Sequence, residues 1–479
     1  MIFWCLLFLS AKKNFLVMLL PSLVRFSRIA QTATNRSLFS PHKFEQLDLH
    51  TDLQRSLIAT NIRTMTEIQS QSFVSISKNL DTVLCSETGS GKTFAYLVPL
   101  FNRIMFKQDW DTANPSSSWR DVLGRARSPI VVLCPTVELC KQTLRVASTI
   151  DPQNRIIKQY LRTTDKDESD SSNVIVSPRI RWGAVDLVVT TPSKFVEDMT
   201  RFRENNLKPS CIVFDEADLL FHGPTQGHVL DIIGYLRPRI RAKMGRKNFH
   251  EPIADMTQFV FASATLPDIG QFSIGSMITQ RFPTAELIRA GNFHSIPESV
   301  NLDWIEESQG DWQERCYMLT KVLSEELESS KRIMVFVNSS RNCELLFRFL
   351  ADKKWPVLKY SKSCLEDGQV FSSSSSSSIQ ILVATDLAAR GIDWVDVDTV
   401  VNFQMPRDVV TWIHRAGRCG RMGKQGKVIT FHKQSEKEIV DAIKARVVPE
   451  SSSISPNNLS TLFSRKRSLR RKIRLGKVS

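Results

Sequence analysis

The sequence predicts an α/β fold of two tandem domains, each a parallel β-sheet flanked by helices. The chain has 479 residues, which exceeds the size at which a single hydrophobic core stops growing. Nine short apolar runs alternate with stretches of helical pattern, and continuous apolar strands of this kind are typical of parallel sheets covered on both faces. One group of runs precedes about residue 285 and the other follows about residue 300, so we expect two domains.

Five of these runs are expected to form the first sheet and four the second. They are Thr82–Cys85, Ile130–Cys134, Leu187–Val189, Cys211–Phe214, Phe259–Phe261, Met334–Val337, Ile381–Val383, Val400–Phe403 and Val428–Phe431. We place the first domain at residues 44–288, a linker at 289–300 and the second domain at 301–447.

Polar segments between the runs are expected to be surface loops. Three of them interrupt the first domain and predict insertions, namely Asp109–Arg127, Thr163–Ser177 and Arg241–Asp255. The serine run Ser372–Ser378 is of low complexity and predicts a flexible loop. Residues 448–479 read as a serine-rich linker and a basic tail that is disordered when free.

The positive charge of the chain lies at its two ends. A composition of 42% hydrophobic and 24% charged residues is that of a soluble globular protein, and the net charge of +15 suggests a polyanionic partner. Residues 1–44 contain six Lys or Arg residues and residues 451–479 contain eight, and neither segment contains an acid. Because the rest is nearly neutral, general attraction to nucleic acid should come from the ends or from local patches.

The N-terminal segment, residues 1–43, has the composition of a mitochondrial transit peptide. From Met18 onward it is free of acids and rich in Arg and Ser, with apolar residues beside basic ones. The apolar stretches 2–9 and 15–20 are interrupted by Lys12 and its neighbours, so we expect no stable membrane insertion. A membrane anchor and an extended gene model are the alternatives, and a start at Met18 instead of Met1 would make the transit pattern clearer.

The nine cysteines predict neither a zinc site nor a disulfide framework. They include no CxxC pair and no His-rich neighbourhood. Three of them, Cys85, Cys134 and Cys211, lie in apolar runs and are expected to be buried thiols. The pattern favours a reducing compartment such as the mitochondrial matrix, with the nucleus or nucleolus as the alternative.

A glycine-bearing loop between a strand and a helix predicts a phosphate site. The segment Thr82–Thr93 reads TVLCSETGSGKT, and the backbone N–H groups of Gly89, Ser90 and Gly91 can wrap a phosphate because glycine lets the chain turn closely. Lys92 is expected to reach the β- and γ-phosphates and Thr93 to offer its hydroxyl to Mg²⁺. The first glycine of the general pattern is replaced by Ser86.

An acidic box follows the apolar strand Cys211–Phe214. Asp215 and Glu216 stand at the carboxyl end of this strand, where ligands bind in parallel sheets. Asp215 is expected to hold Mg²⁺, directly or through water, and Glu216 to orient and deprotonate the attacking water. Together with the phosphate loop, these residues predict ATP hydrolysis.

The box Asp215-Glu216-Ala217-Asp218 resembles the one that names the DEAD-box RNA helicases of superfamily 2. The resemblance runs in order from Phe44 to about Arg446 and includes five further motifs, an ordered set that chance does not explain. They are Pro135–Leu139 with Gln142, Thr191–Lys194, Ser263–Thr265, Thr385-Asp386 with Arg390–Asp393, and His414–Arg421. The resemblance implies two RecA-like domains that use ATP to remodel RNA.

The resemblance also implies a role for individual residues. Those that contact RNA are Pro135, Thr136, Thr191, Pro192, Lys194, Thr385, Arg390 and Gly391. Those that couple hydrolysis to strand separation are Asp218, Ser263, Thr265 and His414. Thr88 and Asp393 would contact the nucleotide, Asp393 at the ribose. RNA held through phosphates and 2′-hydroxyls implies little sequence specificity.

Arg418 and Arg421 are implied to be arginine fingers supplied by the second domain. Three residues apart, they are expected at a helix start that faces the first domain. Such a finger is worth roughly 10³ to 10⁵ in rate. Hydrolysis would then require closure of the two domains, which RNA stabilises.

Adenine recognition is expected upstream of the phosphate loop. Gln69 can pair with the adenine edge through its amide, and Phe44, 25 residues earlier, stands where the family has a stacking aromatic residue. The family's proline before Thr66 is Met65 here.

Several family features are absent. Val137 replaces an arginine, Ser193-Lys194 replaces Gly-Arg, no double glycine is recognisable between Thr163 and Asp186, and Cys364–Ser378 replaces the QxxR segment. We therefore expect a weaker or differently distributed grip on RNA, for which the basic tail could compensate.

Our hypothesis is a monomeric RNA helicase with ATP and Mg²⁺ as cofactors. Its RNA would be structured or ribosomal, and with the predicted transit peptide it resembles, by analogy, mitochondrial members that assist ribosome assembly with other assembly proteins. One alternative is an ATP-gated RNA clamp or scaffold with little unwinding. Another is a DNA-acting relative, which the complete DEAD-box pattern disfavours.

Overall fold

The computed structural model forms two compact units, Met1–Thr66 and Glu67–Ser479. It describes residues 43–60, 62–87, 89–113, 128–161, 174–204, 208–221, 225–237, 257–265, 274–290, 299–307, 311–327, 332–360, 380–386, 397–406, 409–420 and 424–447. The predicted transit peptide, the basic tail, the serine run Ser372–Ser378 and most of the three predicted insertions lie outside these residues.

The first unit contains a short 3₁₀-helix, Phe44–Gln46, and helix α1, Thr51–Ala59. His50 caps α1, because its Nδ1 accepts a hydrogen bond of 3.2 Å from the backbone N–H of Asp52 and so satisfies one donor of the first turn. Phe44 and Met65 are both buried.

The second unit contains two parallel sheets. The strands of the first sheet are β1 Thr82–Cys85, β2 Ile130–Leu133, β3 Lys158–Leu161, β4 Val174–Ser177, β5 Leu187–Thr190, β6 Cys211–Phe214, β7 Gln258–Ser263 and β8 Glu286–Arg289. Their order is β4-β3-β5-β2-β6-β7-β1-β8, and every pair is parallel. The five strands predicted for this domain are confirmed.

Three strands of this sheet were not predicted. Strand β3 has no apolar run in its sequence, because two of its buried residues, Lys158 and Gln159, are polar. The charge of the Lys158 Nζ is balanced by Asp151 Oδ2 at 2.7 Å. Strand β4 contradicts the prediction that all of Thr163–Ser177 is an insertion, because Val174–Ser177 pairs with β3. The edge strand β8 is largely exposed, with Ile288 its buried residue.

The helices of the first domain return the chain between the strands. They are α2 Glu67–Ser77, α3 Lys92–Ala113, α4 Val137–Ile150, α5 Pro192–Glu204, α6 Ala217–Leu220, α7 Gln226–Leu236 and α8 Ile274–Arg281. The start of the predicted insertion Asp109–Arg127 is wrong, since α3 continues to Ala113. Its last turns are held by the Arg155 guanidinium, which pairs with Asp109 at 2.5 Å, and by Gln108, which donates to the Arg155 carbonyl.

Alternate strand residues of the first sheet form one core. Aromatic rings dominate its centre, where Phe214 stacks on Phe261 at a centroid distance of 5.1 Å and Phe282 meets Phe261 edge-on at 5.1 Å. The rings bury large apolar areas, and they fix the carboxyl end of β6, which carries the acidic box.

The second sheet has six parallel strands in the order β11-β12-β10-β13-β14-β9. They are β9 Val300–Glu306, β10 Ile333–Val337, β11 Val357–Tyr360, β12 Ile381–Thr385, β13 Thr399–Asn402 and β14 Gly426–His432, and they are accompanied by α9 Trp312–Leu327, α10 Ser340–Asp352, α11 Val409–Ala416, a 3₁₀-helix Gln434–Glu436 and α12 Lys437–Val447. The four predicted strands are confirmed, and β9 and β11 were missed.

Alternate residues of each central strand of this sheet enter two separate cores. In β10, for example, Met334 and Phe336 face one core, and Ile333, Val335 and Val337 face the other. This confirms the expectation that both faces are covered. The missed strands β9 and β11 lie at the two edges of the sheet, and most of their residues are partly exposed. Because partly exposed positions can be polar, neither sequence has the continuous apolar run by which the central strands were predicted.

The buried thiols are as predicted, since Cys85, Cys134 and Cys211 are buried and free. Among the described residues no helix is both long and apolar enough to cross a membrane.

Candidate functional site

The phosphate loop lies between the end of β1 and the start of α3. Gly89 and Gly91 have φ angles of 81° and 87°, a left-handed conformation that other residues adopt only with strain. The Lys92 Nζ donates to the carbonyls of Ser86 and Glu87 at 2.8 and 2.6 Å. Burial lowers the pKa of Lys92, and the acids Asp215, Asp218 and Glu216 oppose that shift. The loop therefore places a cation among three carboxylates.

Two neighbours hold the loop in shape. The hydroxyl of Ser86, the residue that replaces the expected glycine, lies 2.5 Å from the Ser90 hydroxyl and so closes the base of the loop. Gln69 in α2 donates from Nε2 to the Gly91 carbonyl at 3.3 Å. The amide predicted to read adenine thus also touches the phosphate loop.

The acidic box begins where β6 ends. Both Asp215 oxygens accept hydrogen bonds, Oδ1 from the Glu216 N–H at 3.0 Å and Oδ2 from the Tyr96 hydroxyl at 2.8 Å. Burial, and then the nearby Glu216, raise the pKa of Asp215 to about 6, although Tyr96 and Lys92 counteract this. The nearby Lys92 offsets the effect of burial only in part. A cation such as a metal ion would therefore stabilise the ionised form of this carboxylate further.

Glu216 stands in a strained position beside it. Its φ of 49° is left-handed, which is uncommon for a residue with a side chain. Its Oε2 is buried and has no hydrogen-bond partner among the described residues. An acceptor of this kind fits the predicted role of holding a water molecule.

Asp218 joins the acidic box to the coupling segment and to the second domain. Its Oδ2 accepts from the Thr265 N–H at 3.1 Å, from the Thr265 hydroxyl at 2.6 Å and from His414 Nε2 at 3.0 Å. Ser263 completes the turn, since its hydroxyl donates to the Thr265 carbonyl at 2.5 Å. Burial alone would raise the pKa of Asp218, but His414 and the hydrogen bonds hold it well below its usual range. The structure thus brings all four predicted coupling residues together.

The described RNA-contact candidates lie at strand ends and helix starts. Thr136 follows β2 and Pro135 and caps α4, because its hydroxyl accepts from the Leu139 N–H at 3.3 Å. Thr191 precedes Pro192, the first residue of α5, and Thr385 is the last residue of β12.

Lys194 lies on the first turn of α5. Its Nζ pairs with the exposed Glu197 at 2.7 Å. An exposed pair of this kind contributes about 0–1 kcal/mol, so a phosphate could replace Glu197.

Arg418 is not at a helix start, contrary to the prediction. It is half-buried in the turn after α11, and its N–H donates to the Arg415 carbonyl at 3.1 Å. The helix ends at Ala416 and Gly417 follows it directly, and further along the turn Gly420 has a left-handed φ of 69°. A Cβ at Gly420 would lie 2.4 Å from Val300 Cγ2, so the turn also requires glycine for space.

Arg415, for which no role was predicted, lies at the centre of a network. Its guanidinium is buried and donates to both Asp386 oxygens at 2.5 and 2.9 Å, to Asn338 Oδ1 at 2.7 Å, to the Gln404 carbonyl at 2.8 Å and to Asn402 Oδ1 at 3.3 Å. These acceptors follow or end strands β12, β10 and β13, so Arg415 fixes α11 to three strand ends. The position of Arg415 within the motif His414–Arg421 was the signal in the sequence that could have identified it as a functional residue.

Tyr96 was also missed, because it belongs to none of the motifs used for the prediction. Other predicted residues lie outside the described part of the chain, namely Thr88, Arg390, Gly391, Asp393 and Arg421. Phe44 belongs to the first unit, and its pairing with Gln69 around adenine stays a prediction.

The residues present fit a Mg²⁺ ion that is bound mainly by the nucleotide. Among the described residues there is no group of three side chains that could hold a metal alone. Mg²⁺ usually takes one or two protein ligands, with water and substrate phosphates completing its shell. The buried Asp215 carboxylate, with its raised pKa, and the Thr93 hydroxyl would supply such a partial set.

Comparisons with known proteins agree with the motifs. The DEAD/DEAH box helicase model matches residues 66–272, and the helicase conserved C-terminal domain model matches residues 315–423. DEAD-box ATP-dependent RNA helicase 39 of Arabidopsis thaliana is 28% identical over 415 residues, which cover 84% of this chain and 60% of that protein. Helicase 20 of the same plant is 30% identical over 375 residues, covering 76% and 65%. The chain therefore spans less than two thirds of the length of these relatives.

The fold is likewise similar to that of a solved structure. Saccharomyces cerevisiae Dbp5 bound to RNA and ADP BeF3 superposes with a TM-score of 0.65 at 20% identity, covering 90% of this chain and 99% of that one. This confirms the two predicted RecA-like domains. With both family models matched in order and the acidic box, the phosphate loop and the coupling residues in place, this chain belongs to the DEAD/DEAH box helicase family.

Proposed function

We propose that the protein is an ATP-dependent RNA helicase that couples ATP binding and hydrolysis to local duplex separation or to remodelling of RNA–protein complexes. One observation carries the proposal: Asp218 of the acidic box accepts hydrogen bonds from Thr265 of the coupling segment and from His414 of the second domain. A change at the nucleotide therefore reaches the second domain through one carboxylate. The relatives are named RNA helicases, and the similar Dbp5 was solved with RNA.

The residues around the phosphate loop divide the work of hydrolysis. Lys92 and the loop N–H groups bind the phosphates. Asp215 with Thr93 would hold Mg²⁺, which would supply charge neutralisation at the phosphate oxygens. Glu216 orients the attacking water through its unpartnered Oε2. Arg418 approaches from the second domain and stabilises charge on the transferred phosphoryl group.

RNA binds along strand ends of both sheets. Thr136 and Thr191 stand at the N-termini of α4 and α5, where N–H groups favour phosphate oxygens, and Thr385 stands at the end of β12. Contacts of this type read the backbone and not the bases, so the RNA is bound without sequence preference. The protein acts as a monomer without membrane insertion.

Strand displacement tests the proposal. The full chain should release a labelled strand from a short RNA duplex only with ATP and Mg²⁺, and Lys92→Ala should abolish release. ATP-dependent binding without displacement would support the ATP-gated clamp instead. Stimulation of ATP hydrolysis by DNA to the same extent as by RNA would support the DNA-acting alternative.

We further propose a role in mitochondrial ribosome assembly, with ribosomal RNA and assembly proteins as partners. The support is the acid-free segment 1–43 with its basic and apolar residues. A fluorescent fusion of residues 1–44, with and without residues 1–17, should enter mitochondria in both forms if Met18 is a start site. Accumulation of either fusion in the nucleus or nucleolus would contradict the mitochondrial assignment.

A further inference from the structure

Tyr96 lies one helical turn after Lys92 on α3 and touches the metal-binding carboxylate. Its side chain is fully buried, and its hydroxyl donates to Asp215 Oδ2 at 2.8 Å. The contact joins residues 119 positions apart, so it connects the helix of the phosphate loop directly to the end of β6. Because an aliphatic or phenyl side chain would fill the same core, packing alone does not require the hydroxyl.

The Asp215 carboxylate is held from two directions. The Glu216 N–H donates to Oδ1 at 3.0 Å, and Tyr96 donates to Oδ2. A carboxylate oxygen accepts more than one hydrogen bond or ligand, so each oxygen keeps a lone pair for Mg²⁺ or for water bound to it. The backbone contact restricts Oδ1, and the phenol restricts rotation of the carboxylate about its own axis.

The hydrogen bond from Tyr96 to Asp215 lies in a buried region. Cys134 and Thr143 are buried as well, and the Cys134 Sγ lies 3.7 Å from the Thr143 Oγ1. An ionised carboxylate only accepts hydrogen bonds, so the phenol is the donor of this contact.

We infer that Tyr96 is a positioning residue that holds the Asp215 carboxylate in the orientation that meets Mg²⁺ on the nucleotide. It acts as the outer partner of a metal ligand, a role that in other sites is worth about 10- to 100-fold in metal affinity or activity. The inference rests on the proposed function of Asp215 in binding Mg²⁺. Helix α3 then supplies two groups to the metal site. Thr93 is a candidate ligand, and Tyr96 orients the other ligand, Asp215.

The test is Tyr96→Phe in the full chain, which removes one oxygen and keeps the ring. A fluorescent, non-hydrolysable ATP analogue is bound to each variant while Mg²⁺ is titrated. We expect the Mg²⁺ concentration at half-maximal binding to rise about tenfold, whereas affinity for the analogue in EDTA stays at the wild-type value. Tyr160→Phe, at another buried tyrosine of the first sheet, is the matched control and should leave both quantities unchanged.

Two results would overturn the inference. In one, Tyr96→Phe has the wild-type Mg²⁺ dependence. In the other, its affinity falls equally in EDTA and in Mg²⁺, which would make the hydroxyl merely structural. Asp215→Asn separates this failure from a failure of the proposed function: if its binding responds to Mg²⁺ as the wild type does, then Asp215 is not a metal ligand at all.

Discussion

Replacing His414 by alanine should reduce RNA-stimulated ATP hydrolysis and leave nucleotide binding intact. His414 Nε2 lies 3.0 Å from Asp218 Oδ2, both side chains are buried, and the contact joins the second domain to the acidic box. A hydrogen bond to a charged group contributes about 1.5–3 kcal/mol. Since about 1.36 kcal/mol corresponds to a tenfold change in rate, we expect kcat/KM for RNA-stimulated hydrolysis to fall roughly 10- to 150-fold.

The assay measures ATP hydrolysis as a function of RNA concentration and, separately, binding of a non-hydrolysable ATP analogue without RNA. Nucleotide affinity should change by less than about twofold, because the phosphate loop and Asp215 belong to the first domain. His432→Ala is the control, since His432 is buried in the same domain and has no part in the site.

A second variant locates the effect. Thr265→Val removes the 2.6 Å hydroxyl donor to the same oxygen of Asp218, and because both variants act on one acceptor their effects should not add. Wild-type RNA stimulation in His414→Ala, or an equal loss in His432→Ala, would refute the coupling argument.

Four other predictions concern single residues and the tail. Lys92→Ala should weaken nucleotide binding at least about tenfold, because the charged donor expected at the β- and γ-phosphates is lost. Glu216→Gln should keep ATP affinity and slow release of RNA. Unchanged turnover in Glu216→Gln, measured by phosphate release, would exclude its role with water. Asp215→Asn should abolish turnover but raise the free energy of unfolding of the nucleotide-free protein at pH 7.5. The pKa of Asp215 is raised to about 6 in the folded protein from an unfolded value of about 3.9, so its ionisation destabilises the fold increasingly as pH rises from about 4 to 6. Asp215→Asn should therefore raise the free energy of unfolding by about 1–3 kcal/mol at pH 7.5 and by less at pH 5, as measured by urea unfolding. An increase that does not depend on pH would contradict the raised pKa of Asp215. Removal of residues 464–479 should lower RNA affinity and its dependence on salt, because most of the basic tail is lost; equal binding at low salt would show that the tail does not assist.

The central strands and the site motifs could be predicted because their physics is local. The fully buried strand β6 is apolar throughout, and the phosphate loop has glycine where φ is positive, at Gly89 and Gly91. By contrast, β3 contains a buried Lys158, whose charge is balanced by Asp151 seven residues earlier. A single sequence does not show that such a pair will be buried together, and β3 was therefore missed.

The contacts that orient the site could not be predicted for a similar reason. Arg415 lies 29 residues from Asp386 and 77 from Asn338, and Tyr96 lies 119 from Asp215. Such pairs exist only once the sheets are assembled, because strand order decides which ends become neighbours. The placement of Arg418 is a different kind of error. Gly417, directly after α11, was a signal for the end of a helix, and the motif was instead taken to open a helix.

The five hydrogen bonds of Arg415 bear on the order of events in a catalytic cycle. All of its partners belong to the second domain, so the position of α11 is set by contacts within that domain alone. Assembly of the complete site then requires movement of a rigid body and little freezing of side chains, which lowers its entropic cost. Amide hydrogen exchange should accordingly show slow exchange in α11 in the ligand-free protein, and ATP with RNA should change it little.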